Sequence, residues 1–180
     1  MSDDLGDRMK VYESAEAGRR LMDQLPICAR IDGKGFSKFT RELKRPYDER
    51  LSQLMVATTV HLVEETGALA GYTQSDEISL LWFQGDPRSQ LYLDRKVQKL
   101  TSIVASMATA RFNAGLAEAL PEKAGALAVF DNRVWAVPNQ EEAANTFLWR
   151  ERDASKNSVS MAARALYSHA QLQDKSGSEM

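Results

Sequence analysis

The 180-residue sequence predicts an α+β domain in which helices cover one face of an antiparallel sheet. Short apolar runs that end at glycine, proline or aspartate indicate strands, and longer segments with apolar residues at helical spacing indicate helices. In the centre of the chain these segments follow the order strand, helix, strand, strand, helix, strand. This βαββαβ order is typical of the ferredoxin-like arrangement. In that arrangement the third strand lies between the first two and runs antiparallel to the first.

The predicted strands are apolar runs closed by turn residues. They cover residues 27–31, 68–72, 78–83 and 126–130, and residues 134–137 continue the last run or pair with it. Asp32 and Gly33 end the first strand, and residues 74–77 form the turn of a hairpin between the second and third strands. Asp131 and Asn132 are expected to lie between the two parts of the last strand.

The predicted helices carry apolar side chains three to four residues apart. They cover residues 5–24, 48–66, 91–116 and 140–180. Pro26 cannot continue the first helix, Asp48 is suited to the N-cap of the second, and Gly67 is suited to its end. The last helix is expected to break near Asn157.

The length indicates one compact domain over residues 1–180 that can bury a core. Its expected parts are an N-terminal helix at 5–24, a core at 26–138 and a C-terminal helical segment at 140–180, which we expect to be truncated.

Composition argues against several classes of protein. The formal net charge is −2, and no apolar run approaches the ~18 residues that span a bilayer. The acidic N-terminus is unlike a signal peptide, so we expect a cytoplasmic protein with no membrane partner. The single cysteine, Cys28, excludes an internal disulfide, and with only two histidines a zinc site is not expected. Because Cys28 lies in an apolar segment, we expect it to be a buried small hydrophobic residue.

Three acidic residues come together in the predicted topology. Asp32 ends the first strand, Asp76 and Glu77 begin the third, and neighbouring strands are only ~4.8 Å apart. Carboxylates this close repel each other unless a cation compensates, and oxygen ligands favour magnesium. Two such ions ~3.5–4 Å apart can activate an attacking hydroxyl and stabilise a leaving pyrophosphate. The alternative is that both segments are ordinary turns, so this pattern alone predicts a metal–carboxylate site and no particular reaction.

The segment after Asp32 is suited to bind phosphate. Gly33 and Gly35 bracket Lys34, so backbone amides can approach a polyphosphate closely while Lys34 and Lys38 supply positive charge. The spacing of a Walker P-loop is absent.

Several segments, in order along the chain, resemble the motifs of tRNA(His) guanylyltransferases and their Thg1-like relatives. The first is ARIDGKGFSKF at residues 29–39 with RPYD at 45–48, and the second is QSDEIS at 74–79. The others are FDNRV at 130–134 with Pro138, WR at 149–150 with Asp153 and Asn157, and KSGSEM at 175–180.

The resemblance implies a palm domain like that of polymerases, which adds nucleotides to the 5′ end of tRNA in the 3′-to-5′ direction. It implies that Asp32, Asp76 and the carbonyl of Gly33 hold two Mg²⁺ ions, and that Asp32, Asp76 and Glu77 are the catalytic residues. In the family, ATP activates the 5′-monophosphate of the tRNA and the 3′-hydroxyl of GTP then attacks it. The resemblance also implies that the protein forms a homo-oligomer, namely a tetramer.

The resemblance further assigns binding residues. The expected nucleotide-binding residues are Asp32, Gly33, Lys34, Gly35, Phe36, Ser37, Arg45, Ser75, Asp76, Arg133 and Lys175. The candidates for tRNA contact are Arg150, Asp153, Lys156 and Asn157.

The sequence departs from the family pattern at three places. Ser37 stands where the family usually has histidine, and residues 154–158 read ASKNS where the eukaryotic-type enzymes have His-Ile-Asn-Asn. The chain also stops inside its last motif. The second departure resembles the Thg1-like branch, whose members favour templated repair of truncated tRNA 5′ ends, but the sequence does not separate repair from guanylation of tRNA(His).

Two other functions share parts of this pattern. A palm-fold nucleotide cyclase or signalling-nucleotide synthase shares the two metal aspartates but does not need the segments around Trp149 and Lys175. A noncatalytic nucleotide- or RNA-binding palm module predicts a degraded metal constellation, whereas Asp32, Asp76 and Glu77 are all present.

Overall fold

The computed structural model describes residues 4–86 and 88–176. Its helices are α1 (Asp4–Ala17), α2 (Phe36–Phe39), α3 (Glu49–Thr66), α4 (Val97–Ala119), α5 (Gln140–Leu166) and α6 (His169–Leu172). Its strands are β1 (Ile27–Gly33), β2 (Ala70–Gln74), β3 (Glu77–Trp82) and β4 (Phe130–Ala136). Short 3₁₀ turns lie at Tyr92–Arg95 and Pro121–Lys123.

The four strands form one antiparallel sheet in the order β2-β3-β1-β4. The third strand therefore lies between the first two and antiparallel to the first, which confirms the predicted ferredoxin-like α+β arrangement. The end of β1 lies beside the start of β3, and the register pairs Asp32 with Glu77.

The core lies between α3, α4 and one face of the sheet. Ile27, Ala29 and Ile31 alternate along β1 and are fully buried among apolar residues of both helices. Trp82 is buried at the end of β3, and its Nε1 donates to the carbonyl of Thr66 at 3.1 Å. The intervening side chains of β1 point to the other face of the sheet.

Helix α5 packs against that other face, which differs from the expectation that helices cover one face only. The Sγ of Cys28 donates to Oγ1 of Thr146 at 3.8 Å, the Arg30 guanidinium lies 5.5 Å from the ring centroid of Trp149, and Arg150 bonds Glu77. Cys28 is fully buried, as predicted, and burial raises the pKa of its thiol.

The helix boundaries differ from the predicted ones where tertiary contacts intervene. Helix α1 ends at Ala17, and the following residues turn to the segment before α4, where Leu21 N donates to the carbonyl of Arg95 at 3.0 Å. Helix α4 begins at Val97 because Leu93 and Asp94 have left-handed backbone angles. Helix α5 is continuous, so the predicted break near Asn157 is wrong; the segment contains no proline or glycine.

The last strand also differs from its prediction. Residues 126–129 are not a strand, and Asp131 and Asn132 lie inside β4. The side chain of Asn113 on α4 binds both backbone groups of Ala128, and Oγ1 of Thr109 accepts from the amide of Phe130 at 3.1 Å. These helix side chains occupy the backbone groups that a longer strand would need.

No helix among the described residues is both long and apolar enough to cross a membrane. Residues 177–180, which belong to the fifth sequence motif, lie outside the described part of the chain.

Candidate active site

The end of β1 and the tip of the β2–β3 hairpin meet at one edge of the sheet. Asp32 pairs with Glu77 across the strands, and the amide of Gly33 donates to the carbonyl of Asp76 at 3.1 Å. The hairpin turn is tight because Ser75 adopts a positive φ of 51°. The structure thus brings together the three carboxylates that the sequence predicted to meet.

Asp32 is partly buried and lies among both negative and positive side chains. Its pKa is raised above the ordinary value, first by burial and then by the negative charges of Glu77 and Asp131. Arg133 and Arg30 act in the opposite direction. The net direction shows that carboxylate repulsion and burial outweigh the two arginines, so a cation would be bound favourably here.

Asp76 shares the same electrostatic environment. Burial raises its pKa, and the charges of Asp32 and Glu77 add to this effect. Its neighbour Ser75 opposes the shift, since the hydroxyl donates to Oδ1 of Asp76 at 3.0 Å. Because Asp32 and Asp76 each sense the other negative charges at this edge, the two carboxylates form one electrostatic unit.

Asp131 is a fourth acidic residue of the cluster that sequence reasoning missed. It lies directly across from Asp32, and Arg133 approaches both, at 3.4 Å from Asp131 and 3.8 Å from Asp32. Phe130 and Asn132 are buried while Asp131 and Arg133 are exposed, but the sequence does not show this alternation because Asn132 is polar.

Glu77 is held by α5. Its Oε2 accepts hydrogen bonds from the Arg150 guanidinium and from Nε2 of Gln74, the latter at 3.2 Å. The Arg150 side chain is only 5% exposed and also bonds Oδ2 of Asp153 at 3.0 Å. The Arg150 guanidinium is thus buried in an ion-pair network, and the contact of this residue with tRNA stays a prediction.

The glycine loop after β1 is anchored by an aromatic side chain. Phe36 is buried against Phe39, Phe112 and Phe130, with ring centroids 5.0–5.7 Å apart. Its ring lies so close to Gly33 that an added Cβ there would be 2.3 Å from it. The Phe36 side chain thus belongs to the core, and nucleotide binding by this residue stays a prediction that only its backbone can meet.

The rest of this loop is open. Lys34, Gly35 and Ser37 are exposed, and the backbone amide of Lys34 donates to the carbonyl of Val129 at 2.8 Å. Gly35 has a φ of 69° and no atom within 4 Å of a hypothetical Cβ. The loop is thus fixed at its base and accessible at its tip.

A cleft of about 870 Å³ opens beside the carboxylates. It lies between the segment before α3, the hairpin tip and the second half of α5. The predicted site residues that line it are Arg45, Ser75, Asp76, Glu77, Arg150, Asp153 and Asn157. The other predicted site residues do not line it, namely Asp32, Gly33, Lys34, Gly35, Phe36, Ser37, Arg133, Lys156 and Lys175. Asp32 and the glycine loop therefore lie beside the cleft, next to Asp76 and Glu77, and not in its lining.

The donor groups at the sheet edge suit an open magnesium site better than a site in which protein side chains alone enclose the metal. In residues 4–86 and 88–176, no three side chains of histidine, cysteine, aspartate or glutamate are grouped so as to hold a metal ion by themselves. Asp32 and Asp76 with the carbonyl of Gly33 supply oxygen atoms only. Mg²⁺ is commonly held by one or two carboxylates while substrate phosphates and water complete its shell. The residues present therefore fit this ion.

Comparison with known proteins agrees with this geometry. Residues 6–138 match the family model Thg1, tRNAHis guanylyltransferase. The chain is 33% identical over 154 residues to the tRNA(His) guanylyltransferase of Schizosaccharomyces pombe, covering 84% of this chain. It spans 56% of that enzyme's length and 66% of the length of a relative from Acanthamoeba polyphaga mimivirus.

Solved structures show the same fold. A bacterial tRNA(His) guanylyltransferase (Thg1)-like protein in complex with ATP superimposes with a TM-score of 0.90 at 41% identity, covering 97% of this chain and 74% of that one. A bacterial Thg1-like protein in complex with GTP gives a TM-score of 0.86 at 42% identity, covering 92% and 78%. The family model matches most of the chain, the solved structures have the same fold, and the first two motifs meet at one sheet edge. The chain therefore belongs to the tRNAHis guanylyltransferase (Thg1) family.

Proposed function

We propose that the protein is a magnesium-dependent nucleotidyltransferase that adds nucleotides to the 5′ end of tRNA in the 3′-to-5′ direction. The observation that carries this proposal is the convergence of Asp32 and Asp76 beside Gly33 at the edge of a nucleotide-sized cleft. Family membership supports the reaction class, and the ATP and GTP complexes of bacterial Thg1-like structures support nucleoside triphosphates as substrates.

The carboxylates would bind the metal. Asp32, Asp76 and the carbonyl of Gly33 would hold Mg²⁺, which lowers the pKa of an attacking hydroxyl and neutralises developing charge on the phosphates when it is bound. Repulsion among the carboxylates makes this edge attractive to cations before any substrate arrives.

The cleft and the glycine loop would bind the triphosphate. Arg45 lines the cleft in the segment before α3, and the exposed Lys34 side chain lies near the end of β1. The amides of Gly33 and Lys34 are bonded to the carbonyls of Asp76 and Val129, so phosphate would meet the Lys34 side chain and the exposed loop from Gly35 onward. Arg133 would approach a phosphate next to Asp32, since its side chain is half exposed. Lys175 remains a prediction from the resemblance alone.

The tRNA would contact exposed residues of α5. Lys156 and Asn157 are exposed on its second half, and Asn157 lines the cleft. Asp153 reaches the same cleft but is engaged with Arg150. Of the four predicted contacts, Lys156 and Asn157 thus remain the best placed.

Templated repair is the finer assignment that we propose. Residues 154–158 lack the His-Ile-Asn-Asn run of the eukaryotic-type enzymes, and the identity to the two bacterial Thg1-like structures is 41–42%, against 33% to the S. pombe guanylyltransferase. A cytoplasmic location and a tetramer stay predictions; light scattering of the purified protein measures the second directly.

Incorporation of labelled GTP tests the proposed reaction. Wild-type protein is incubated with Mg²⁺, ATP, labelled GTP and a tRNA that lacks its 5′ nucleotide, and Asp76→Asn is the matched variant. We expect extension by the wild type that needs Mg²⁺ and falls by at least about 100-fold in the variant, in line with loss of a metal ligand. Extension of equal rate by both proteins would refute the assignment of Asp76.

A further inference from the structure

A buried arginine links α5 to the carboxylate cluster. Arg150 lies in the middle of α5 with a side chain 5% exposed, and its Nη2 bonds both Oε2 of Glu77 and Oδ2 of Asp153. Its guanidinium also lies 4.7 Å from the ring centroid of Trp149. Because the guanidinium is enclosed by these groups, its position is fixed by the fold.

The same contact fixes the direction of the Glu77 side chain. One carboxylate oxygen, Oε2, receives hydrogen bonds from Arg150 and from Gln74. Charge-assisted bonds of this kind are stronger than neutral ones, and a buried ion pair is costly to break by removing one partner. Glu77 is therefore directed to α5, although the register places it directly across from Asp32.

This arrangement divides the three carboxylates into two kinds. Among the described residues, Asp32 has Arg133 at 3.8 Å as its ion-pair partner, and Asp76 accepts a hydrogen bond from the Ser75 hydroxyl at 3.0 Å. Glu77 bonds a buried cation, Arg150, which it shares with Asp153. A cation at the sheet edge therefore meets two carboxylates that have no buried cationic partner and one that is paired with Arg150.

Building on the proposed function, we propose that Arg150 is a positioning residue that withholds Glu77 from the metal ions and leaves Asp32 and Asp76 as their carboxylate ligands. Without Arg150, Glu77 would be an uncompensated third carboxylate and would join the metal shell. Cations would then bind more tightly but in an arrangement that does not favour phosphoryl transfer. Arg150 thus sets both the affinity and the geometry of the site.

The test is Mn²⁺ binding to the protein without nucleotide or tRNA, followed by electron paramagnetic resonance. We expect Arg150→Met to lower the Mn²⁺ dissociation constant by about threefold or more, because Glu77 beside Asp32 and Asp153 on the same helix both lose their shared cationic partner. Arg150→Lys, which keeps the charge, should stay within about twofold of wild type. Arg152→Met is the matched control, since it removes the same charge from an exposed position on the same helix.

The double variant Glu77→Gln with Arg150→Met tests whether Glu77 binds the metal, even if Arg150→Met alone does not fold. It removes both partners, so it should fold and bind Mn²⁺ within about twofold of wild type. If Glu77 were a metal ligand in the wild type, the double variant would lose affinity by about tenfold or more, which would overturn the proposal. Unchanged or weaker Mn²⁺ binding in folded Arg150→Met would overturn it as well.

Steady-state kinetics provide a second readout. Arg150→Met should lower kcat by about tenfold or more while the KM for GTP changes by less than about threefold, and Arg150→Lys should recover part of the loss. A residue with a structural role only would lower thermal stability and leave kcat of the folded fraction unchanged. Because Mn²⁺ binding requires no turnover, failure of the proposed 5′ addition would be seen in the wild type and would not be confused with failure of this inference.

Discussion

The carboxylate of Asp76, a proposed metal ligand, destabilises the folded protein when no metal is bound. Its carboxylate is partly buried beside two other carboxylates, and its pKa is raised above the ordinary value near 3.8. A carboxyl group with a raised pKa favours the folded state when protonated. That contribution is present below the ordinary pKa and is lost as the pH rises through the raised value. Near neutral pH the ionised Asp76 carboxylate therefore lowers the stability of the metal-free protein.

We expect Asp76→Asn to be more stable than the wild type in the absence of metal. At pH 7 the free energy of unfolding should rise by about 1 kcal/mol, because the neutral amide is not repelled by Asp32 and Glu77. The difference should shrink as the pH falls to 4 and below, where the wild-type carboxyl is protonated. Urea denaturation in EDTA at several pH values measures this; a less stable variant at pH 7 would contradict the electrostatic account.

The two glycines of the phosphate-binding loop should respond differently to alanine. Gly35→Ala has space for its Cβ and suffers only from the positive φ, a cost of about 1 kcal/mol. Gly33→Ala would push the Cβ into the ring of Phe36 and displace the loop at its base. We therefore expect GTP affinity, measured by calorimetry, to fall more in Gly33→Ala; an equal loss in both variants would show that Phe36 does not set the loop's position.

Local signals made some elements predictable. Asp48 and Gly67 could be assigned as the ends of α3 because caps depend on residues within one turn. The extent of β4 could not, since Asn113 and Thr109 hold residues 128–130 from a helix that is distant in sequence. Element type thus followed from local chemistry, while several boundaries required tertiary contacts.

Asp48 should be the main determinant of stability at the start of α3. It is buried, its Oδ1 accepts from the amide of Arg50 at 3.1 Å, and its Oδ2 accepts from the amide of Lys44 at 3.3 Å. We expect Asp48→Ala to lower the free energy of unfolding by about 2 kcal/mol at pH 7, and Asp48→Asn, which keeps one acceptor, to lower it by about half as much.

The pH dependence of this effect has a defined sign. Hydrogen bonds from the Arg50 guanidinium, followed by the amides of Lys44 and Arg50, hold the pKa of Asp48 well below its usual range. The stability that Asp48 contributes is therefore present above pH 4 and is lost as the pH falls below the ordinary value. Urea denaturation of wild type and Asp48→Asn between pH 7 and pH 2 checks this, and a difference that grows in acid would contradict it.

At the scale of the whole molecule, the order of the strands was sufficient to predict that Asp32, Asp76 and Glu77 lie close together. Once strand three pairs with strand one, Asp32 must lie beside residues 76 and 77, whatever the helices do. The position of α5 was not predictable, because its anchor joins Arg150 to Glu77 across 73 residues of sequence. For the same reason the sequence placed Arg150 among candidates for RNA contact, whereas the fold buries it.

Binding of tRNA should depend steeply on salt. Phosphate contacts release counterions, so the logarithm of affinity should fall linearly with the logarithm of salt concentration. Lys156→Ala should reduce that slope by about one, and Lys10→Ala on α1 serves as a control for loss of a distant charge. Filter binding between 50 and 200 mM salt measures the slope; an equal reduction in both variants would show that α5 does not form the RNA surface.

The most direct test of the account is a crystal structure of the protein with Mn²⁺ and GTP, using the anomalous signal of the metal. We expect metal peaks within ligand distance of the carboxylates of Asp32 and Asp76 and of the carbonyl of Gly33, with the triphosphate reaching the cleft and Glu77 still bonded to Arg150. Metal bound elsewhere, or Glu77 turned away from Arg150 into the metal shell, would contradict the account.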